Sequence, residues 1–106
     1  MKYFLLFIFL FPFLLPAQNQ VIDSLKLALK NAKHDTTRCY ILSLMVESES
    51  DDNVWPVYNE QMLELSQKNI SISSDPSLKK IYLKYNSNAM NNVCYLYSIR
   101  GDILYK

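Results

Sequence analysis

The sequence predicts an all-α protein built from antiparallel helix hairpins. Only one glycine occurs among the 106 residues, although glycine makes up about 7% of average proteins. All-β folds need glycine in many of their turns, so this scarcity favours helices. No long stretch alternates polar and apolar residues as a half-buried strand does. Instead, apolar residues recur at helical spacing in successive segments that short polar breaks separate.

The N-terminus carries the three-part pattern of a secretory signal peptide. Positively charged Lys2 precedes an apolar run that ends at Leu15, and small Ala17 stands before polar residues. The alternative is a membrane anchor, but the run of about thirteen residues is shorter than the ~20 that span a bilayer. We therefore expect residues 1–17 to be removed and Gln18 to begin an exported chain, periplasmic or secreted.

The mature chain, residues 18–106, is predicted to form one helical domain. Its first helix spans about residues 20–33, and the polar segment 34–37 then supplies side chains that can cap a second helix, which ends near residue 49. The apolar stripe of the first helix comprises Val21, Leu25, Ala28, Leu29 and Ala32. The stripe of the second comprises Thr37, Tyr40, Ile41, Leu44, Met45 and Ser48.

Two further helices follow an acidic loop. The third spans about residues 54–69, with Pro56 in its first turn, where a missing N–H has no helical partner to lose. Its predicted buried face comprises Trp55, Tyr58, Met62 and Leu65. The fourth starts after the Asp75-Pro76-Ser77 signal and spans about residues 78–99. Its predicted stripe comprises Leu78, Ile81, Tyr82, Tyr85, Ala89, Val93, Leu96 and Tyr97.

The end of the chain predicts a turn into a fifth helix. Gly101 suits the left-handed position that terminates many helices, and Asp102 suits the N-cap of a new one. Residues 103–106 would be the first turn of that helix. We therefore expect the apolar face of the fourth helix to lack a partner, which predicts possible self-association through this helix.

Charge argues against nucleic acid as a partner. The chain has 11 basic and 10 acidic residues, so removal of Lys2 with the signal peptide leaves a neutral protein. Binding to a polyanion needs clustered Lys and Arg side chains on one surface. The pair Lys79-Lys80 is better explained as a solvated helix face. The partner that we expect is a protein or a peptide.

No combination of side chains predicts a catalytic residue, a cofactor site or a metal site. His34 is the single histidine, and it has no ligand set around it for zinc. The acidic residues between 47 and 52 lack the central glycine and alternate spacing of a calcium loop. No serine stands in a nucleophile elbow, and one glycine cannot build a phosphate-binding loop. We expect a protein that is not an enzyme.

Three groups of side chains leave structural alternatives open. Cys39 and Cys94 either form a disulfide in the exported chain or remain free thiols, both of them buried among apolar residues. Among the C-terminal tyrosines, Tyr95 lies off the apolar stripe and is the expected exposed aromatic. The segment Asn69-Ile70-Ser71 matches the acceptor pattern for N-glycosylation, and we interpret it as an ordinary loop.

The last segment resembles the first helix of a tetratricopeptide repeat. In that family a large residue opens the packing face, a Leu-Gly pair follows, a tyrosine comes three residues later, and a Gly-Asp or similar turn closes the helix. The matching residues are, in the same order, Met90, Val93, Cys94, Tyr97 and the Gly101-Asp102 turn. The resemblance implies a fragment of an α-solenoid in which the second repeat helix is truncated.

Other segments are similar to the N-terminal region of exported bacterial signalling proteins. They are residues 23–25, 33–38 and 55–61 and the Asn91-Asn92 pair. In those proteins a signal peptide leads into a helical cap and an array of tetratricopeptide repeats. A transmembrane helix and an output domain (kinase, phosphatase, cyclase or DNA-binding) often follow. The resemblance implies contact with a membrane only through export or such a downstream segment, and it assigns no output activity to any residue here.

The leading hypothesis is therefore a non-catalytic exported scaffold, the N-terminal part of a repeat module for protein interaction or sensing. One alternative is a complete small secreted bundle that binds a partner through the face of its C-terminal helix. A second, weaker alternative is a small secreted enzyme or toxin.

Overall fold

The computed structural model describes the backbone of residues 14–104 and the side chains of residues 20–101. This part of the chain is all-α and contains no strand, as predicted. Its helices are α1 (Leu14–Asn31), α2 (Asp35–Ser48), α3 (Trp55–Ile72) and α4 (Pro76–Leu104). Most of the predicted signal peptide, residues 1–13, lies outside the described residues. Among the described residues, no helix is both long enough and apolar enough to cross a membrane.

The helices pack in a row. Each helix contacts the next one in the chain, and α2 also contacts α4. The connecting segments are short, residues 32–34, 49–54 and 73–75, so neighbouring helices run antiparallel. Within the described residues α1 makes at most marginal contact with α3 and α4. A closed four-helix bundle would bring its first and last helices together, so this arrangement is open.

The core is built along the contact between α3 and α4 and is completed by α2. Buried residues on α3 recur at alternating four- and three-residue steps, which is the spacing that keeps one face toward a neighbouring helix. They are Trp55, Asn59, Met62, Ser66 and Asn69. The facing residues of α4, which we call the inner seam, have the same spacing: Tyr82, Tyr85, Ala89, Asn92 and Leu96. From α2, the residues Cys39, Ile41, Leu42 and Met45 close the core.

Several predicted stripes are rotated relative to the faces that are buried. On α2, Tyr40 is 53% exposed, whereas Cys39 and Leu42, which the stripe omitted, are buried. On α1, Ile22 is buried in place of Val21. The reason on α2 is geometric, because this helix contacts α1, α3 and α4 together and so buries a face wider than one stripe.

The predicted stripe of α4 is also only partly buried. Tyr82, Tyr85 and Ala89 are buried as expected, but Leu78, Ile81 and Tyr97 are exposed. These three residues lie at the margins of the surface that α3 and α2 cover.

The C-terminal turn was predicted wrongly. Helix α4 begins at Pro76 and continues through Gly101 to Leu104 without a break. Gly101 does not have a positive φ, so it is a helical residue and does not terminate the helix. Asp102 consequently lies inside α4 instead of capping a new helix. Residues 105 and 106, the end of the predicted fifth helix, lie outside the described residues.

Candidate functional site

The central helix α3 is joined to α4 by a buried side-chain amide. Asn59 is 2% exposed, and its Nδ2 donates to the carbonyl oxygen of Ala89 over 3.0 Å. Its Oδ1 accepts a hydrogen bond from Nδ2 of Asn92 over 2.9 Å. Because a buried amide is costly unless its groups are paired, these bonds set the register between the two helices. They also place Asn92 at the edge of α4 that faces α2.

A second polar contact continues the same junction. Ser66 is fully buried, its Oγ donates to the carbonyl oxygen of Leu63, and it accepts a 3.4 Å hydrogen bond from Asn86 of α4. Neither Asn59 nor Ser66 was predicted to be buried, because polar side chains usually lie on the surface. Their seven-residue separation on one face of α3 is the signal that would have found them.

The far end of α3 is joined to α2. Nδ2 of Asn69 donates to Oδ2 of Asp35 over 2.9 Å and to the carbonyl oxygen of Leu65. The hydrogen bond from Asn69 lowers the pKa of the Asp35 carboxyl below 3.8, burial opposes this effect, and Arg38 adds to it. Arg38 also donates to the carbonyl oxygen of Ala32 at the end of α1, so this cluster links three helices.

The cluster overturns the interpretation of Asn69 as a loop residue. Asn69 lies within α3, is buried, and has its amide engaged. An acceptor for glycosylation must present a free side-chain amide to the enzyme, and this amide is not free.

A polar groove of about 320 Å³ opens between α2 and α4, and α3 forms its floor. It is lined by Ser43, Val46 and Glu47 from α2, Met62 from α3, and Asn88, Asn91 and Asn92 from α4. Asn92 is held by Asn59, whereas Asn88 and Asn91 are exposed. A side-chain amide both donates and accepts, so these two can exchange hydrogen bonds with the backbone of an extended peptide.

A larger groove of about 480 Å³ lies between α3 and the C-terminal half of α4. Trp55, Leu63, Leu96, Tyr97 and Arg100 are among its lining residues. Trp55 is buried as predicted. The aromatic ring beside it is that of Tyr95 on α4, with the two ring centroids 6.4 Å apart. Nε1 of Trp55 donates a hydrogen bond to Oδ1 of Asp52 over 2.8 Å.

The other residues singled out in the sequence do not converge on one place. His34 is exposed at the turn between α1 and α2. Glu47 lines the polar groove, while Asp51 and Asp52 hold the next turn through bonds to Asn53 and Trp55. Within the part of the chain that the structure describes, no three or more potential metal ligands lie together.

The two cysteines have opposite environments. Cys39 is buried and Cys94 is exposed, and both are free thiols. Burial, with a smaller contribution from the Asp35 charge, raises the pKa of the Cys39 thiol to about 11. Between the two alternatives left open by the sequence, the structure therefore favours free thiols.

Comparisons of this chain with models of protein families, with curated proteins and with solved structures found no match.

Proposed function

We propose that this chain is part of an exported helical-repeat scaffold that binds an extended segment of a protein partner in the groove between α2 and α4, without catalysis. The observation that carries the proposal is the placement of α2 and α4 on the same side of α3, with exposed side-chain amides between them.

The open row of helices supports a repeat-type module. In a closed bundle the helices bury their apolar faces against one another. Stacked hairpins instead leave a continuous surface along alternate helices. Contacts between sequential helices, together with the contact between α2 and α4, match this second arrangement. The match of Met90, Val93, Cys94 and Tyr97 to the tetratricopeptide pattern agrees with it, although the uninterrupted helix at Gly101 departs from that pattern.

The chemistry of the groove favours a peptide over a small apolar ligand. Asn88 and Asn91 are exposed amides about one helical turn apart on α4, and Ser43 lies opposite them on α2. Glu47 adds a negative charge on the α2 side. We therefore expect the bound segment to be extended, with a Lys or Arg that can approach Glu47.

A displayed library of random linear peptides tests this proposal. The intact chain, isolated in its exported form, is panned against the library, and selected peptides are then measured individually by fluorescence anisotropy. We expect enriched peptides to carry a basic residue and to bind the double variant Asn88→Ala, Asn91→Ala at least about tenfold more weakly.

The matched control is the double variant Lys79→Ala, Lys80→Ala, which changes two exposed residues of the same helix outside the groove. It should bind the selected peptides as the unmodified chain does. Failure to enrich any peptide, or equal binding by the groove variant, would contradict the proposal.

A further inference from the structure

Helix α4 carries a second stripe with heptad spacing, on the side away from the core. We call it the outer seam. Large residues and small residues alternate along it, and members of each class are seven positions apart. The large residues are Leu83, Met90 and Tyr97, and the small residues are Ser87, Cys94 and Gly101.

Within the described residues this stripe is largely uncovered, and only Tyr97 borders a neighbouring helix, at the edge of the groove between α3 and α4. At 100° per residue, the stripe lies about 140° around α4 from the inner seam. Leu83 and Met90 are each 48% exposed and Tyr97 is 67% exposed, while Ser87 and Cys94 are exposed too. Alternating three- and four-residue steps over this length are the pattern of a helix that pairs with another helix.

Gly101 leaves the C-terminal end of the outer seam without a side chain. It is the single glycine in the chain, it lies in helical conformation inside α4, and a Cβ added there would meet nothing within 4 Å. Glycine is unfavourable in a helix compared with alanine. Neither backbone geometry nor packing within the described chain requires it, whereas a close neighbour outside the chain would.

We propose that the neighbour is a second copy of this chain, paired antiparallel through the two outer seams about a two-fold axis beside Asn92. In this register Leu83 faces Gly101 of the other copy, Tyr97 faces Ser87, and Met90 faces Cys94. Each large side chain thus meets a small one, and the six positions of one seam are all used. A two-fold interface requires a surface that complements itself in this way.

A parallel pair and a shifted antiparallel pair match large residues with small ones less completely. A parallel pair would place like residues in the same layer, so Leu83, Met90 and Tyr97 would each meet its own copy and the small residues would leave gaps. An antiparallel pair shifted by seven residues would leave Gly101 or Leu83 without its counterpart. The alternation of size therefore selects one orientation and one register.

Charge at the edges of the seam is compatible with this pairing. Lys84, on one edge, faces Ser98 of the other copy, and Arg100, on the other edge, faces Asn86. Like charges that face each other would disfavour association, and between residues 83 and 101 no such pair occurs in this register. The contact runs for about 27 Å along the helix, so its area lies toward the low end of stable interfaces. We therefore expect a dimer that forms at micromolar concentration.

Residue-specific cross-linking tests the register. The parent is the full chain, isolated in its exported form, with Cys94→Ser, which leaves only the buried Cys39 thiol. One sample carries Lys84→Cys and another Ser98→Cys, both at edge positions outside the packed layer. With a short bismaleimide, the mixture of the two should give a covalent dimer in at least about tenfold greater yield than Lys84→Cys alone. In the proposed pairing two copies of residue 84 lie about 20 Å apart.

Sedimentation tests the surface itself. The unmodified chain should change from monomer to dimer as its concentration rises through the micromolar range, and Met90→Glu or Gly101→Leu should raise the concentration required at least about tenfold. Circular dichroism should show unchanged helix content in both variants. The matched control, Leu27→Glu, alters an apolar residue of α1 that is 60% exposed and should dimerise normally.

The proposal would be overturned by a chain that stays monomeric at every concentration, since the outer seam would then serve a different chain. Equal cross-linking of Lys84→Cys with itself would also overturn it, because that result requires another orientation. The proposal would also be overturned if Leu27→Glu weakened the dimer as much as Met90→Glu or Gly101→Leu does. None of these outcomes bears on peptide binding in the groove between α2 and α4, which is measured separately.

Discussion

The inner and outer seams of α4 have the same residue spacing but differ in burial. The inner seam, from Tyr82 to Leu96, packs on α3 and contains the fully buried Ala89. The outer seam, from Leu83 to Gly101, is exposed at its large residues, and only Tyr97 borders α3. A helix with two such stripes can pack on two sides, and within the described residues α3 and α2 cover only the side of the inner seam.

The polar residues of the two seams differ in a related way. Asn92 on the inner seam is paired with Asn59, which also donates to the carbonyl oxygen of Ala89. This network can be satisfied in only one register of the two helices, so it specifies their alignment. The small residues Ser87 and Gly101 on the outer seam make no such demand. Hydrogen bonds therefore specify the helix contact at the inner seam, whereas in the proposed dimer the alternation of large and small side chains would specify the contact at the outer seam.

The largest difference between the seams should be the reactivity of the two thiols. Cys39 packs against the residues of the inner seam and has a pKa of about 11 instead of 9.0, whereas Cys94 lies exposed on the outer seam. Because the thiolate is the reactive form, Cys94 should react with a disulfide reagent at least ~100-fold faster at neutral pH. Stopped-flow absorbance of the native chain should show one thiol per chain reacting quickly, and both should react in denaturant. Two fast thiols in the native chain would contradict the burial of Cys39.

Truncating one tyrosine in each seam should separate their contributions to stability. Tyr82 is 3% exposed, so Tyr82→Ala should reduce the free energy of unfolding by about 3–5 kcal/mol, as for other buried aromatic side chains. Tyr97→Ala should change it by less than ~0.5 kcal/mol when the protein is measured as a monomer. Urea unfolding at low protein concentration makes the comparison. Similar losses in both variants would mean that the outer seam is already covered within one chain.

Removing the amide that aligns the inner seam should have an intermediate effect. Asn59→Ala leaves the carbonyl of Ala89 and the amide of Asn92 without their buried partner, and should destabilise the protein by about 1–3 kcal/mol. Asn91→Ala, an exposed amide on the same helix as Asn92, is the matched control and should be nearly neutral. Both values come from urea unfolding. A neutral Asn59→Ala would show that the hydrogen bonds do not specify the register.

The smallest effect should be a pH dependence that arises away from both seams, since neither contains a carboxylate. Asp35 has a folded pKa below 3.8 because of Asn69 and Arg38. A lowered folded pKa stabilises the protein above the unfolded pKa, and this contribution is lost as pH falls through the folded value. Stability should therefore fall as the pH drops from the ordinary titration range of a carboxyl through this lowered pKa, and part of this dependence should be absent in Asp35→Asn. Thermal unfolding followed across that range measures it, and Asp23→Asn on the exposed surface of α1 is the control. Identical pH profiles for Asp35→Asn and the unmodified chain would show that Asp35 does not contribute to the pH dependence of stability.

Much of the fold was predictable because its causes are local in sequence. The near absence of glycine and the helical spacing predicted the all-α class. The polar segments at residues 34–37, 48–53 and 69–77 marked the breaks between helices, although α3 continues to Ile72. Proline in the first turn of α3 and at the start of α4 helped to place those two boundaries. The burial of Trp55, Met62, Tyr82 and Ala89 followed from the stripes on which they lie.

Tertiary structure decided what local pattern could not. The stripe of α2 was misplaced because the buried face of a helix depends on how many neighbours it has, and Cys39 and Leu42 meet neighbours that only the packed chain provides. Asn59, Ser66 and Asn69 look like surface residues in sequence, and they can be buried only because partners on α4 and α2 satisfy their polar groups. The same holds for Gly101. A glycine can either terminate a helix or lie within it, and the choice depends on whether the chain turns back to pack, which residue type alone does not determine.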